Sequence, residues 1–385
     1  MYSLTIVGGG EISCGYDNPK GKSILTHING AKKHPGIHLN SIVEINKGRH
    51  DYIRDKWGKR IVIFSDLKES LSNFKSDIFV IATPTNTHLR VIKNILSNYC
   101  PKLILCEKPI VSNIKEFEEL YELLENYNTK IMTNFPRRFD VSLNILKEEI
   151  LNSSKKYHFY GTFNKGLIHN GSHMIDLISM LVGPIRKIDS INFKTIKKDF
   201  FGKFLVKTDN CNGIISNIDS KDLSIFEFVL YTNYGKFEMI GANNKINIYY
   251  LDNFNHFKGF KAYLNKKVLP HTLERSAYNT YDYAIELIEN TAKYKKFMSD
   301  QQNINHIIFK TQKEFLEAIG IKPTDTKSTI LSKSFNLYSL ITSSLFACGS
   351  KTSTVMLNCF NSLTISITFE FLMDNNCYER YRFTI

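Results

Sequence analysis

The chain has no paired cysteines, no long apolar run and no block of a single charge. Its seven cysteines (Cys14, Cys100, Cys106, Cys211, Cys348, Cys359 and Cys377) include no C-x-x-C pair. This predicts small buried thiols in a reducing compartment rather than a disulfide framework. No apolar stretch reaches the ~18 residues of a membrane span, so no membrane partner is expected. The first strand pattern begins within a few residues of Met1, which leaves no space for a secretion signal, and the expected location is the cytoplasm. The formal charge is +13, from 50 basic and 37 acidic residues. Yet basic residues never run beyond a pair, and zinc-finger and helix-turn-helix patterns are missing. A solvated lysine surface is the better reading, and nucleic acid is not an expected partner.

What is present suits two cored domains: 385 residues, 43% hydrophobic and 23% charged. Apolar runs at 4–7, 39–44, 61–64, 77–82, 103–106 and 130–134 alternate with helical patterns. One of these is Leu89, Ile92, Ile95 and Leu96; another follows a predicted N-cap at Asn113 through Phe117, Leu120, Leu123 and Leu124. Strands alternating with helices predict an α/β fold with a doubly wound parallel sheet and a ligand at the C-terminal ends of its strands. The first run leads into Gly8-Gly9-Gly10-Glu11-Ile12-Ser13, a dinucleotide fingerprint with serine in the last position. Such glycines permit a tight turn and let backbone approach a pyrophosphate. Glu44 closes the second run, where a carboxylate would bond ribose hydroxyls; this favours NAD. Lys47 and Arg49 follow directly and keep NADP open. The fifth run ends in Cys106-Glu107-Lys108-Pro109, which puts a lysine at a strand end facing the cleft.

A second domain begins near Asp140, with a strand at 157–163 and a predicted helix over 166–183. On helical spacing His169, His173 and Asp176 share a face, with Asn170 one turn before His173. Three readings compete: a metal site, core-edge histidines satisfied by neighbours, and a catalytic histidine. The H-E-x-x-H signature is missing, and no metal is expected. Short strands at 214–217, 225–230 and 237–240, with a turn at Thr232-Asn233-Tyr234-Gly235, predict a mostly antiparallel open sheet. Its Tyr-, Phe- and Ile-rich outer face predicts a homo-oligomer. Helices at 277–290 and 304–316 return to the first domain.

Taken in order, the fingerprint, Ala82-Thr83-Pro84 with His88, Glu107-Lys108-Pro109, Arg137-Arg138-Phe139 and Gly171-Ser172-His173-Met174-Ile175-Asp176 resemble the Gfo/Idh/MocA oxidoreductases over roughly residues 1–320. The resemblance implies a Rossmann domain (1–139), a substrate and oligomerisation α/β domain (140–320), and an NAD(P)-dependent oxidoreductase acting on a hydroxyl or keto carbon of a sugar, cyclitol or sugar nucleotide. It implies Lys108 and His173 as catalytic residues, with Arg137 and Asn170 also on the substrate side. For the cofactor, NAD first, it implies Gly8, Gly10, Glu11, Ile12, Glu44, Thr83, Pro84, His88, Glu107 and Arg138. Asp176 is expected to orient or cap near His173. Two departures stand out. Asn170 replaces the family's aspartate, and the approach Asn164-Lys165-Gly166 is thinner in glycine than the family's. A dinucleotide-binding sensor without turnover is the rival reading, motivated by Asn170 and by residues 321–385. That Ser/Thr/Phe/Leu-rich stretch fits no family pattern and reads as an appended tail or a β-rich appendage.

Overall fold

The computed structural model describes residues 1–320 except 197–198, 221, 242–244, 257 and 271, and three strands beyond them, at 352–359, 363–371 and 381–384. The apolar runs of the first domain become β1 (Tyr2–Val7), β2 (Ile37–Val43), β3 (Ile63–Phe64), β4 (Ile78–Ile81), β5 (Leu103–Glu107) and β6 (Lys130–Asn134). All pair in parallel, in the order β3-β2-β1-β4-β5-β6. Every residue of β4 is buried, as a strand covered on both faces requires. The order reverses between β1 and β4, and the glycine turn leaves β1 at that switch point. The third strand is shorter than the predicted 61–64.

The connecting helices are α1 (His27–Lys33), α2 (Gly48–Trp57), α3 (Leu67–Asn73), α4 (His88–Asn98) and α5 (Ile114–Leu124). The predicted stripe of α4 is its buried face. Asn113 caps α5 by accepting the Glu116 N–H at 3.1 Å, and Glu116 returns to the Ser112 N–H at 2.8 Å. After the glycine turn the chain makes only one π-turn, Glu11–Gly15, and α-helix starts at His27. Asp17 holds the intervening segment: its carboxylate accepts from Leu25 N–H, Thr26 N–H, the Thr26 hydroxyl and the Asn29 amide.

The second sheet contains β7 (Lys156–Asn164), β8 (Ile185–Ile196), β9 (Asp199–Thr208), β10 (Asn212–Ile218), β11 (Phe226–Thr232), β12 (Gly235–Ile240), β13 (Lys245–Asn253) and β14 (Lys261–Leu269). Its order is β14-β13-β12-β11-β7-β10-β9-β8, antiparallel except where β7 meets β10. Thr232 closes the expected β11–β12 turn by accepting the N–H groups of Tyr234 and Gly235. Phe226, Phe228 and Leu230 alternate inward, while Tyr157, Tyr160, Ile214 and Ile218 stay exposed.

Four helices complete this part: α6 (Val141–Leu151), α7 (Gly171–Leu181), α8 (Ser276–Glu289) and α9 (Thr291–Ala318). Both α8 and α9 pack on β6 of the first sheet. Gln301 of α9 brackets the backbone of Thr133, accepting its N–H at 2.7 Å and donating to its carbonyl at 3.2 Å. This protects the edge strand β6 from pairing elsewhere. The predicted helix over 166–183 is corrected to α7, which begins at Gly171. Asp199 accepts the N–H groups of Ile168, His169 and Phe200, and so holds 166–169 as a turn. His169 therefore lies outside the helix whose face it was predicted to share.

Beyond residue 320, β15 (Thr352–Cys359), β16 (Leu363–Phe371) and β17 (Tyr381–Thr384) form a three-stranded antiparallel sheet. They belong to a unit, Ile321–Ile385, distinct from Met1–Gly320. The rest of the predicted tail, including Cys348 and Cys377, lies outside the described residues. Among the described residues no helix is long and apolar enough to cross a membrane.

Candidate active site

At the switch point Gly8 has φ +103°, and a Cβ there would stand 2.6 Å from the Ala82 carbonyl oxygen. Only glycine fits, because the turn runs against the exit of β4. The Gly9 N–H donates to Glu44 Oε2 at 2.7 Å, and Asn46 N–H donates to Oε1 at 2.8 Å. The carboxylate at the end of β2 is thereby fixed beside the glycines. A cavity of about 660 Å³ opens there, lined by Gly8, Gly9, Gly10, Glu44, Thr83 and Pro84, with Arg49 and Arg90 also on its wall. Gly10 faces open space where a side chain would otherwise stand. These features fit a dinucleotide: a side-chain-free turn, a cavity of suitable size and a carboxylate on its wall at the end of β2, the place where such folds bind ribose hydroxyls.

Several predicted cofactor residues make contacts within the fold. Glu11 is exposed and pairs with Arg49 at 3.3 Å, and Ile12 sits half-buried in the π-turn. His88 is buried, with Nε2 2.8 Å from the Thr83 carbonyl and Nδ1 3.1 Å from that of Pro109, so it ties the exits of β4 and β5 together. Glu107 is turned inward. It accepts from the Asn134 amide at 2.6 Å and lies 3.0 Å from His27 Nε2. Burial pushes its carboxyl up, but His27, Asn134 and the Lys108 charge outweigh that and lower it. Arg138 is likewise turned into the interior, where its Nε donates to Asp176 Oδ1 at 2.8 Å. Asp176 thus pairs with Arg138 rather than capping His173, because two buried charges are least costly together. Burial raises the Asp176 carboxyl against the pull of Arg138.

The remaining predicted residues converge beyond the end of β5. Lys108 Nζ donates to the carbonyl of His169 at 2.8 Å. Burial lowers its ammonium from the ordinary 10.5; the Lys165 and Arg137 charges add to this, and Glu107 opposes it. His173, on the first turn of α7, meets the Phe135 ring edge-on at 5.7 Å, and its Nδ1 is buried without a protein partner. Burial, then the Lys108 and Arg137 charges, hold its ring well below 6.5, so it is neutral at pH 7. His169 is lowered to about 4 by burial and by Lys108 and Lys165. The Arg137 guanidinium stacks 3.5 Å over Phe226, and its buried Nε has no partner. Asn170 donates to the Asn164 carbonyl at 2.8 Å, so part of its bonding capacity holds the loop. Arg137, Asn164, Lys165 and Asn170 line a second cavity of about 360 Å³. His27, Lys165 and Asp199 belong to this neighbourhood without standing in any motif. The only sequence signal among them is the lysine that interrupts the glycine-poor approach to Gly166.

Residues 4–135 match the family model described as an oxidoreductase family with an NAD-binding Rossmann fold. The resemblance to the Gfo/Idh/MocA oxidoreductases is thereby borne out for the first domain. Over 80 residues, 21% of either chain, the sequence is 31% identical to an uncharacterized oxidoreductase of Schizosaccharomyces pombe. Over 116 residues it is 26% identical to myo-inositol 2-dehydrogenase of Thermotoga maritima, covering 30% of this chain and 34% of that one. The matches span from 21% to 38% of the lengths of the curated relatives. Solved structures align far more widely. A dehydrogenase from Clostridium difficile superposes with TM-score 0.58 at 17% identity, covering 83% of this chain and 98% of that one. The WlbA dehydrogenase from Bordetella pertussis, in complex with NADH and UDP-GlcNAcA, superposes with TM-score 0.59 at 14% identity, covering 81% and 94%. At these identities the likeness is one of fold.

Proposed function

We propose, from the kinship of its first domain with the Gfo/Idh/MocA oxidoreductases, that the protein is an NAD-dependent oxidoreductase. Its substrate would be a hydroxyl or keto carbon of a sugar, cyclitol or sugar nucleotide. Residues 1–139 would hold the cofactor and 140–320 the substrate. One observation carries the reading: Lys108, held by the His169 carbonyl, and His173, with a buried unpartnered Nδ1, stand in one neighbourhood beyond the carboxyl edge of a parallel sheet whose switch point carries a glycine cradle. Gly8–Gly10, Glu44, Thr83 and Pro84 would hold the dinucleotide. When bound, its nicotinamide supplies the hydride acceptor or donor.

In the oxidation direction the substrate hydroxyl must lose a proton as hydride leaves carbon. His173 is neutral and can take that proton. The Lys108 ammonium, tethered by the His169 carbonyl, has two donors left for the oxygen that becomes an alkoxide. Asn170 lacks a titratable group, so proton transfer falls to His173 and Lys108.

The signs of the pH dependence follow from these shifts. Oxidation needs neutral His173, so its acid limb lies below the ordinary histidine range. It also needs charged Lys108, so its alkaline limb lies below 10.5. NADH is expected to bind more tightly than NADPH by fluorescence titration. Lys108→Met is expected to keep NADH affinity while lowering kcat by about 10²-fold or more and removing the alkaline limb. Full turnover by that variant, or binding of neither dinucleotide, would remove the reading.

A further inference from the structure

Lys165 has φ +66° and is alone among the described non-glycine residues in the left-handed region. A side chain there costs free energy that glycine would not. The conformation is imposed from outside. Asn217 Nδ2 donates to the Lys165 carbonyl at 2.8 Å, and Lys165 N–H donates to the Ile218 carbonyl at 3.2 Å. At the next position, the Asp199 carboxylate fills the place a side chain would need at Gly166. This strained backbone presents the lysine to the 360 Å³ cavity, next to Arg137. Strain of this kind persists where the surroundings over-determine it, and it gathers at functional sites.

Lys108, Arg137 and Lys165 are close enough that the latter two both depress the Lys108 ammonium. Carboxylates act on these cations from nearby, Glu107 and Asp199 on Lys108 and Asp140 and Asp176 on Arg137. Among the described residues none stands within ion-pair distance of the three, while sixteen other pairs are formed in the molecule. The nearby Asp199 is committed to three backbone N–H groups. Asp222 also lines the cavity; like Lys165 it is exposed to solvent, and it forms no ion pair with Lys165 or Arg137. Arg137 adds a buried Nε with no partner, held in place by the stack on Phe226. A guanidinium oriented by an aromatic ring and tied to no carboxylate by a direct ion pair is suited to receive an oxyanion.

We infer that Arg137 and Lys165 form an anion subsite, and that the substrate carries a carboxylate or a phosphate which seats between them. Its identification as a substrate group rests on the oxidoreductase reading above; its capacity to bind an anion does not.

The test is calorimetric titration of the full chain, saturated with NADH, with D-glucuronate, D-glucose 6-phosphate and D-glucose. Turnover of the same three compounds with NAD is followed in parallel. At least one anionic sugar is expected to bind roughly 10- to 100-fold more tightly than glucose, the range expected for a hydrogen bond to a charged group. The tighter of the two identifies the anion as carboxylate or phosphate. Lys165→Met and Arg137→Met are expected each to remove most of that preference while leaving NADH affinity unchanged. Lys165→Gly is expected to lose it as well, with an unchanged or higher Tm, a combination that a purely structural lysine would not give. Equal binding of all three sugars, or a preference that survives Lys165→Met and Arg137→Met, overturns the subsite. Anion preference without turnover of any sugar keeps the subsite and counts against the oxidoreductase reading. Turnover of glucose without anion preference does the reverse.

Discussion

At single positions, backbone geometry separates two kinds of constraint. Gly8 is fixed by sterics: its φ of +103° and the Ala82 carbonyl 2.6 Å from any Cβ forbid a side chain. Gly8→Ala is expected to cost about 1–3 kcal/mol of stability and to weaken NADH binding strongly, because the strand β4 exit must shift to admit the methyl group. Urea denaturation and NADH titration of the same variant measure the two effects, and native values of both would contradict the steric account. Lys165 is the opposite case. Its left-handed backbone costs roughly 1–2 kcal/mol relative to an ordinary conformation, and glycine would serve the fold better. Side-chain chemistry, not packing, accounts for a lysine there.

At the level of elements, the loop from the end of β7 to the start of α7 is held by side chains from β9 and β10. Asn217 is the principal clamp. It donates to the carbonyls of Lys165 and Phe200, each at 2.8 Å, and accepts Gly202 N–H at 2.6 Å. Asn217→Ala removes its bonds to all three backbone groups, of which the Phe200 carbonyl keeps the Leu167 N–H at 3.0 Å. It is expected to cost roughly 1–3 kcal/mol and to raise KM for the sugar substrate while the Kd for NADH stays constant. A parallel loss of NADH affinity would mean that the loop and the cofactor cradle are one mechanical unit. The same loop shows where helical spacing misleads. His169 and His173 stand four apart in sequence, but Asp199 captures the amides before Gly171 and prevents a helix from forming across them.

Over the whole molecule, burial of neutral and charged groups sets the response to acid. His173 and His169 are lowered in the folded state, so below their ordinary 6.5 the unfolded chain binds protons that the folded chain does not. Stability is lost as pH falls from 6.5 through about 4. Asp17, Asp77 and Glu107 are lowered as well, and their contribution is lost as pH falls through their folded values. Asp176 and Asp199, raised by burial, act in the opposite sense above 3.8. Between pH 7 and 4.5 the lowered aspartates do not titrate, and the two histidines, one lowered to about 4 and the other well below 6.5, set the expectation that the urea midpoint is lower at pH 4.5 than at pH 7. His173→Asn, which deletes one lowered group, is expected to reduce that difference. Equal midpoints at the two pH values would show that the buried histidines do not govern the acid limb.

Local pattern alone determined the parallel sheet, the glycine turn, the Asn113 cap, the buried stripe of α4 and the position of Lys108 at a strand end. Each follows from residues close together in the chain, through apolar period, turn chemistry or hydrogen bonds spanning a few positions. Tertiary structure alone decided which polar groups face the cleft. Glu107 and Arg138 belong to the same motif set as Lys108 and Arg137, yet His27 draws the first inward from 80 residues away and Asp176 draws the second inward from 38. Likewise Lys165 acquires its conformation from Asn217, 52 residues further on. A buried charge settles on whichever partner the fold brings within hydrogen-bond reach, and that partner's distance along the chain leaves no periodic trace in the sequence.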